Sequence, residues 1–173
     1  ALFYFYTKDK TWGLVYGEIF VNMESLGERG AAMKQLLLQG YKEKLFAEAD
    51  PMKGEENNKN EFSRAFLQTM AKQTNMAAKG LNAEVLTMIR TQFILDWFEN
   101  NAARFPHKLF DYQRQLITEG MFDAYNQWLF GPVENLAAYD NWTKTHTEEY
   151  NQFTTFQKTR VFRMPQGQYY NTN

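Results

Sequence analysis

Apolar residues recur three and four positions apart along most of this 173-residue chain, and no stretch alternates apolar and polar positions in the manner of a strand. That spacing predicts helices that each bury one face. Over residues 11–24, Trp12, Val15, Tyr16, Ile19, Phe20 and Met23 form one stripe. Gly27 and Gly30 bracket a turn. Over 31–47, Met33, Leu37, Tyr41 and Leu45 stand four apart, and Leu36 and Leu38 widen the face. Asn60 is placed to cap a helix over 60–78 with Phe62, Ala65, Phe66 and Met70 inward. Gly80 suits a left-handed helix end, and Asn82 the next cap. A helix over 83–101 is apolar on nearly every side in its second half, which predicts a central place in the packing. Shorter helices follow over 108–118, 121–130 and 134–142. A last one is expected from Thr145, which has capping-box spacing with Glu148.

The breaks agree with this pattern. Prolines 51, 106, 132 and 165 fall between apolar segments, where helices usually stop. Residues 50–60 hold Pro51, Gly54 and three Asn and read as a flexible loop. Residues 1–6 look like the end of a helix, and 164–173 like an irregular tail. The expectation is one all-α domain over 1–163 followed by that tail.

Two stretches, 1–16 and 109–125, share one plan. Each has an aromatic and aliphatic helix, a short polar turn, then a second helix with a small residue early in it: Gly13 in one, Ala124 in the other. This resembles the helix–turn–helix unit of tetratricopeptide-repeat proteins. Gly120 stands at the turn, Ala124 in the second helix, and Leu109, Tyr112 and Leu116 on the core side of the first. The resemblance covers about a third of the chain. It implies antiparallel hairpins stacked as a solenoid or an irregular bundle, and a non-enzymatic role binding a protein or peptide partner along one face.

Composition adds one unusual feature. Fifteen Phe, ten Tyr and four Trp bring the aromatic share to 17%, enough for rings to pack the helices together and for some to edge a groove. A net charge of −1 argues against nucleic acid, whose phosphates call for a basic face. No run approaches the roughly 20 apolar residues that cross a bilayer. The lack of cysteine excludes disulfides and thiolate chemistry and leaves the compartment undecided, with a slight lean to the cytoplasm. Oligomeric state is left open.

Candidate chemistry is sparse. His107 and His146 are the only histidines and lack metal-ligand spacing, so no metal is expected. No phosphate-binding or dinucleotide-binding loop occurs, so no cofactor is expected. Serines occur only at 25 and 63, and no catalytic residue is assigned. Carboxylates fall in pairs at Asp96 and Glu99, Asp111 and Asp123, and Glu148 and Glu149. Asp96 lies among Phe93, Ile94, Leu95, Trp97 and Phe98. It must pair, hydrogen-bond or shift its pKa, and Arg90 and Arg104 are the expected partners. In the helix that follows Gly120, Asp123, Asn126 and Gln127 fall on one side, and with Tyr112 and Tyr125 they are the expected partner-binding residues, suited to an extended peptide or a sugar. The reading is a helical scaffold for a protein or peptide. The alternative is a helical enzyme or small-ligand domain using the aromatic-rich face with Asp96 or Asp123.

Overall fold

The computed structural model describes residues 2–24 and 27–171. Ala1 of the expected first helix, Ser25, and the last two residues of the expected tail lie outside the described residues. All regular structure among the described residues is helical: α1 (Leu2–Phe5), α2 (Trp12–Met23), α3 (Glu28–Gln39), α4 (Glu61–Ala71), α5 (Thr74–Ala77), α6 (Ala83–Asn100), α7 (Lys108–Thr118), α8 (Phe122–Glu134), α9 (Leu136–Thr145) and α10 (Thr147–Lys158). None of these helices is long and apolar enough to cross a membrane.

Local chemistry explains most of the ends. Asn60 accepts from the Ser63 amide at 2.9 Å and Asn82 from the Val85 amide at 2.8 Å, capping α4 and α6. Asp9, in the polar break, accepts from the Thr11 amide at 2.9 Å and the Trp12 amide at 2.5 Å, and so opens α2. Gly120 takes φ +69° after α7, a left-handed position that costs glycine nothing. Other helix starts are satisfied from far along the chain: Glu149 accepts from the Ala124 amide and Glu134 from the Ala83 amide. Thr145 does not form the expected capping box. Its hydroxyl donates back to Asn141 and Trp142 carbonyls, and α10 starts at Thr147 with no side-chain cap.

Three features depart from simple periodicity. Beyond Gln39, α3 widens into a π-helical turn over Gly40–Leu45, closed by the Phe46 amide on the Tyr41 carbonyl at 3.0 Å. The turn keeps Tyr41 and Leu45 buried and sends Lys44 to the end of α1, where its amine donates to the carbonyls of Phe5 and Thr7. Pro132 does not end its helix but lies within the last turn of α8. A proline has no amide hydrogen, so the Trp128 carbonyl four residues earlier loses its helical donor. Lys34 of α3 replaces it, donating to that carbonyl at 2.8 Å with its amine 3.6 Å from the Trp128 ring centroid. Burial lowers the Lys34 pKa to about 7. Finally, the close helix approaches are at other glycines than Gly13. A Cβ on Gly40 would lie 2.8 Å from Leu14, and one on Gly131 would lie 2.7 Å from Tyr139.

Helix α8 is the hub. It packs against α3, α6, α7, α9 and α10, and α6 in turn against α4, α5 and α7. In a linear array of hairpins each unit meets only its neighbours. Here α3 and α8 meet although some ninety residues separate them. The central position expected for α6 is found: Leu86, Ile89, Phe93, Ile94 and Trp97 are buried.

Candidate functional site

The most charged place in the interior is where these helices converge. Glu18 of α2 and Arg90 of α6 form an ion pair with side chains 4% and 2% exposed. The same Glu18 oxygen accepts from Gln113 of α7 and from the Tyr125 hydroxyl of α8, each at 2.6 Å. Arg90 also donates to Asn126, whose amide donates to the Phe122 carbonyl at 2.7 Å. The Tyr125 oxygen accepts from Asn22 at 2.7 Å. Rings of Phe122, Tyr125 and Phe130 lie 5.2–5.6 Å from the guanidinium. Burial penalises the Arg90 cation most, but Glu18, Tyr41 and Tyr125 together outweigh it and hold the guanidinium pKa above its ordinary value. Burial likewise raises the Tyr125 phenol. Beside the network lies a void of about 10 Å³, at the lower limit for one water. The network ties helices together and leaves no room for a substrate.

An open groove lies on the other side of α8. Three helices each contribute residues one turn apart: Glu84, Thr87 and Met88 from α6, Asp123 and Gln127 from α8, Trp142 and His146 from α9 and its end. Its volume is about 430 Å³, within the usual range for ligand sites. The Trp142 and His146 rings stack with centroids 4.4 Å apart and planes 4° apart. His146 Nδ1 faces the Thr145 hydroxyl at 2.9 Å. Glu149 borders this wall. Burial raises its pKa, the hydrogen bond from the Ala124 amide pulls it back in part, and the nearby Asp123 adds a smaller rise. Neither Glu84 nor Asp123 belongs to an ion pair among the described residues.

Of the five residues expected to bind a partner, the structure brings Asp123 and Gln127 to this groove. The other three lie in the interior. Asn126 and Tyr125 are fully buried and Tyr112 is 4% exposed. The expected common side of Asp123, Asn126 and Gln127 fails because α8 is covered by five other helices, leaving only a narrow stripe open. Asn126, at the edge of that stripe, turns in to Arg90. Tyr112 packs on Tyr125, Phe156 and Phe162. Asp96 is half-buried and pairs with neither arginine. Gln73 and Gln92 donate to its two oxygens at 2.9 and 3.1 Å, while Arg104 pairs with Glu61. Asp111 faces Arg114 at 4.0 Å. No cluster of three or more metal-ligating side chains occurs among the described residues.

The groove residues that the sequence did not single out are Glu84, Thr87, Met88 and Trp142, and His146 was weighed only as a metal ligand. A faint signal existed: Trp142 and His146 are four apart, as are Glu84 and Met88, so each pair shares a helix face. Nothing in sequence joins the three faces. No protein-family model, curated protein or solved structure matches the chain.

Proposed function

We propose that this protein is a non-enzymatic helical scaffold whose α6–α8–α9 groove binds an extended, basic segment of a protein partner. The observation that carries this is the groove's charge. Glu84 from α6 and Asp123 from α8 both line the groove, neither with an ion-pair partner among the described residues, and Met88, 48% exposed, offers apolar surface close by. A lysine or arginine lying between the two carboxylates, with a neighbouring apolar side chain against Met88 and Trp142, satisfies both features. Such a segment is read by a few fixed side chains on rigid helices, which suits a scaffold.

The tetratricopeptide likeness is proposed only for the α7–α8 hairpin. Gly120 at positive φ and the buried Ala124 support it. The packing of α3 on α8 supports a bundle rather than a solenoid.

The test is fluorescence anisotropy with a set of labelled extended peptides, each containing one Lys or Arg beside a Leu or Phe, and charge-reversed controls carrying Glu. The expected result is binding of basic peptides only, weakened about tenfold or more by Asp123→Lys, the size of effect that like-charge juxtaposition brings. Equal retention of basic and acidic peptides, or an Asp123→Lys variant that binds as the parent does, defeats the proposal.

A further inference from the structure

The segment after α10 has no regular structure, yet its last described residues are fixed at four points. Gln168 Oε1 accepts from the Lys108 amide at 2.6 Å, where α7 begins. The Tyr170 hydroxyl donates to the Pro106 carbonyl at 2.9 Å, and its carbonyl accepts from the Asn60 side-chain Nδ2 at 2.5 Å. Asn171 donates to the Tyr4 hydroxyl at 3.0 Å. The Tyr170 ring stacks on Phe62, centroids 4.9 Å and planes 12° apart, and meets Phe105 edge-on at 5.6 Å. His107 packs 6.3 Å from the same ring. It is 2% exposed, and neither ring nitrogen has a hydrogen-bond partner.

The two sides of this contact differ in kind. The floor, made of Phe62, Phe105 and His107, is buried, and its two phenylalanines belong to the core. No residue from Arg163 to Asn171 is buried. The segment is held by polar anchors, by the Tyr170 ring on Phe62, Phe105 and His107, by Tyr169 against Tyr16 and by half-buried Met164, contacts at the surface of the core rather than within it, the sort of attachment that opens without unfolding the rest. Nor does it fill its site. An open space of about 640 Å³ continues beside it, bounded by Lys59, Glu61 and Phe62 on one side and by Gly167 and Tyr169 on the other.

We infer that this floor is a second recognition site, specific for an extended peptide with glutamine followed two residues later by tyrosine, and that residues 168–171 occupy it in cis as a displaceable strap. The glutamine carboxamide meets the free amide at the start of α7, the tyrosine ring covers Phe62, and the phenol reaches the Pro106 carbonyl. Asn60 reads the peptide backbone. Main-chain and side-chain groups of an extended ligand are thus recognised together. The ligand is neutral, unlike the basic one assigned to the acidic groove, and the two sites share no residue.

The experiment uses the full chain. Gln168→Ala with Tyr170→Ala loosens the strap while leaving the floor intact, and a fluorescent peptide of residues 164–171 is added in trans. The double variant is expected to keep its helical circular dichroism and to bind the peptide at least about tenfold more tightly than the parent, because a site closed nine-tenths of the time loses that factor in apparent affinity. The same peptide with both residues replaced by alanine is expected not to bind. The inference is overturned if the double variant loses its helical signal, since the segment is then part of the core. It is also overturned if the folded variant ignores the peptide, if the parent binds equally well, or if both peptides bind alike. The basic-peptide assay reports separately on the acidic groove.

Discussion

A single buried side chain shows how much of this fold depends on partners being matched. Arg90 lies at the centre of the molecule with one carboxylate, one amide and three rings around it. Arg90→Met leaves Glu18 buried with Gln113 and Tyr125 but no cation, and the expected loss is about 3–5 kcal/mol of unfolding free energy in urea titration. Glu18→Leu combined with Arg90→Met removes both charges, so the double variant is expected to regain much of that loss. If the two single losses simply add, the pair is not coupled as described. His107 offers the opposite case, a buried titratable ring with no partner. Burial lowers its pKa to about 4, against an ordinary value near 6.5. As pH falls below that ordinary value the unfolded chain takes up the proton first, so stability is lost between about 6.5 and 4, by at most about 3 kcal/mol. His107→Phe lacks this term. Its stability relative to the parent is expected to improve by that amount between pH 7.5 and pH 4, and parallel curves for the two proteins refute the assignment.

At the level of elements, the packing of α8 against α9 turns on Gly131, whose missing Cβ leaves room for Tyr139. Gly131→Ala places a methyl 2.7 Å from the Tyr139 ring and 2.8 Å from Gln127 Oε1, and overpacking of this kind is expected to cost about 1–3 kcal/mol in urea unfolding. An unchanged midpoint means that α9 shifts freely. This contact also marks the limit of what the sequence discloses. The caps at Asn60 and Asn82, the left-handed Gly80, and the stripe Met33, Leu37, Tyr41, Leu45 were all legible, because each depends on residues within one or two turns. Pro132 misled for a specific reason. A proline ends a helix when its freed carbonyl goes unpaired, but here a lysine nearly a hundred residues away supplies the donor. Glu18 stands between Gly17 and Ile19 like any surface acid, and only the meeting of α2 with α6 reveals its charge partner. The groove was half legible for the same cause: Asp123 and Gln127 announce a polar face, whereas Trp142, His146, Glu84 and Met88 join it only through packing.

Across the whole molecule, buried contacts are unevenly spread, and this sets which parts open first. α6 and α8 each bury residues on several sides, whereas α9 buries none and α10 buries only Phe153. That ring, fully buried against Tyr125 and Trp128, is the most buried tie between the α9–α10 pair and the hub, alongside Tyr139 on Gly131 and Glu149 on the Ala124 amide. Truncating a buried phenylalanine costs about 3–5 kcal/mol when the loss is felt by the entire fold. Where an element opens by itself, the loss is confined to that element, because its local opening free energy is all that remains to be removed. Phe153→Ala is therefore expected to speed amide hydrogen exchange throughout 136–158 while leaving the slowest amides of α6 near their parent rates. Since Trp142 and His146 form one wall of the acidic groove, the same substitution should weaken basic-peptide binding even though residue 153 does not line the groove. Uniform acceleration of exchange, α6 included, shows instead that α9–α10 and the hub unfold as one unit, and the groove then has no independently movable wall.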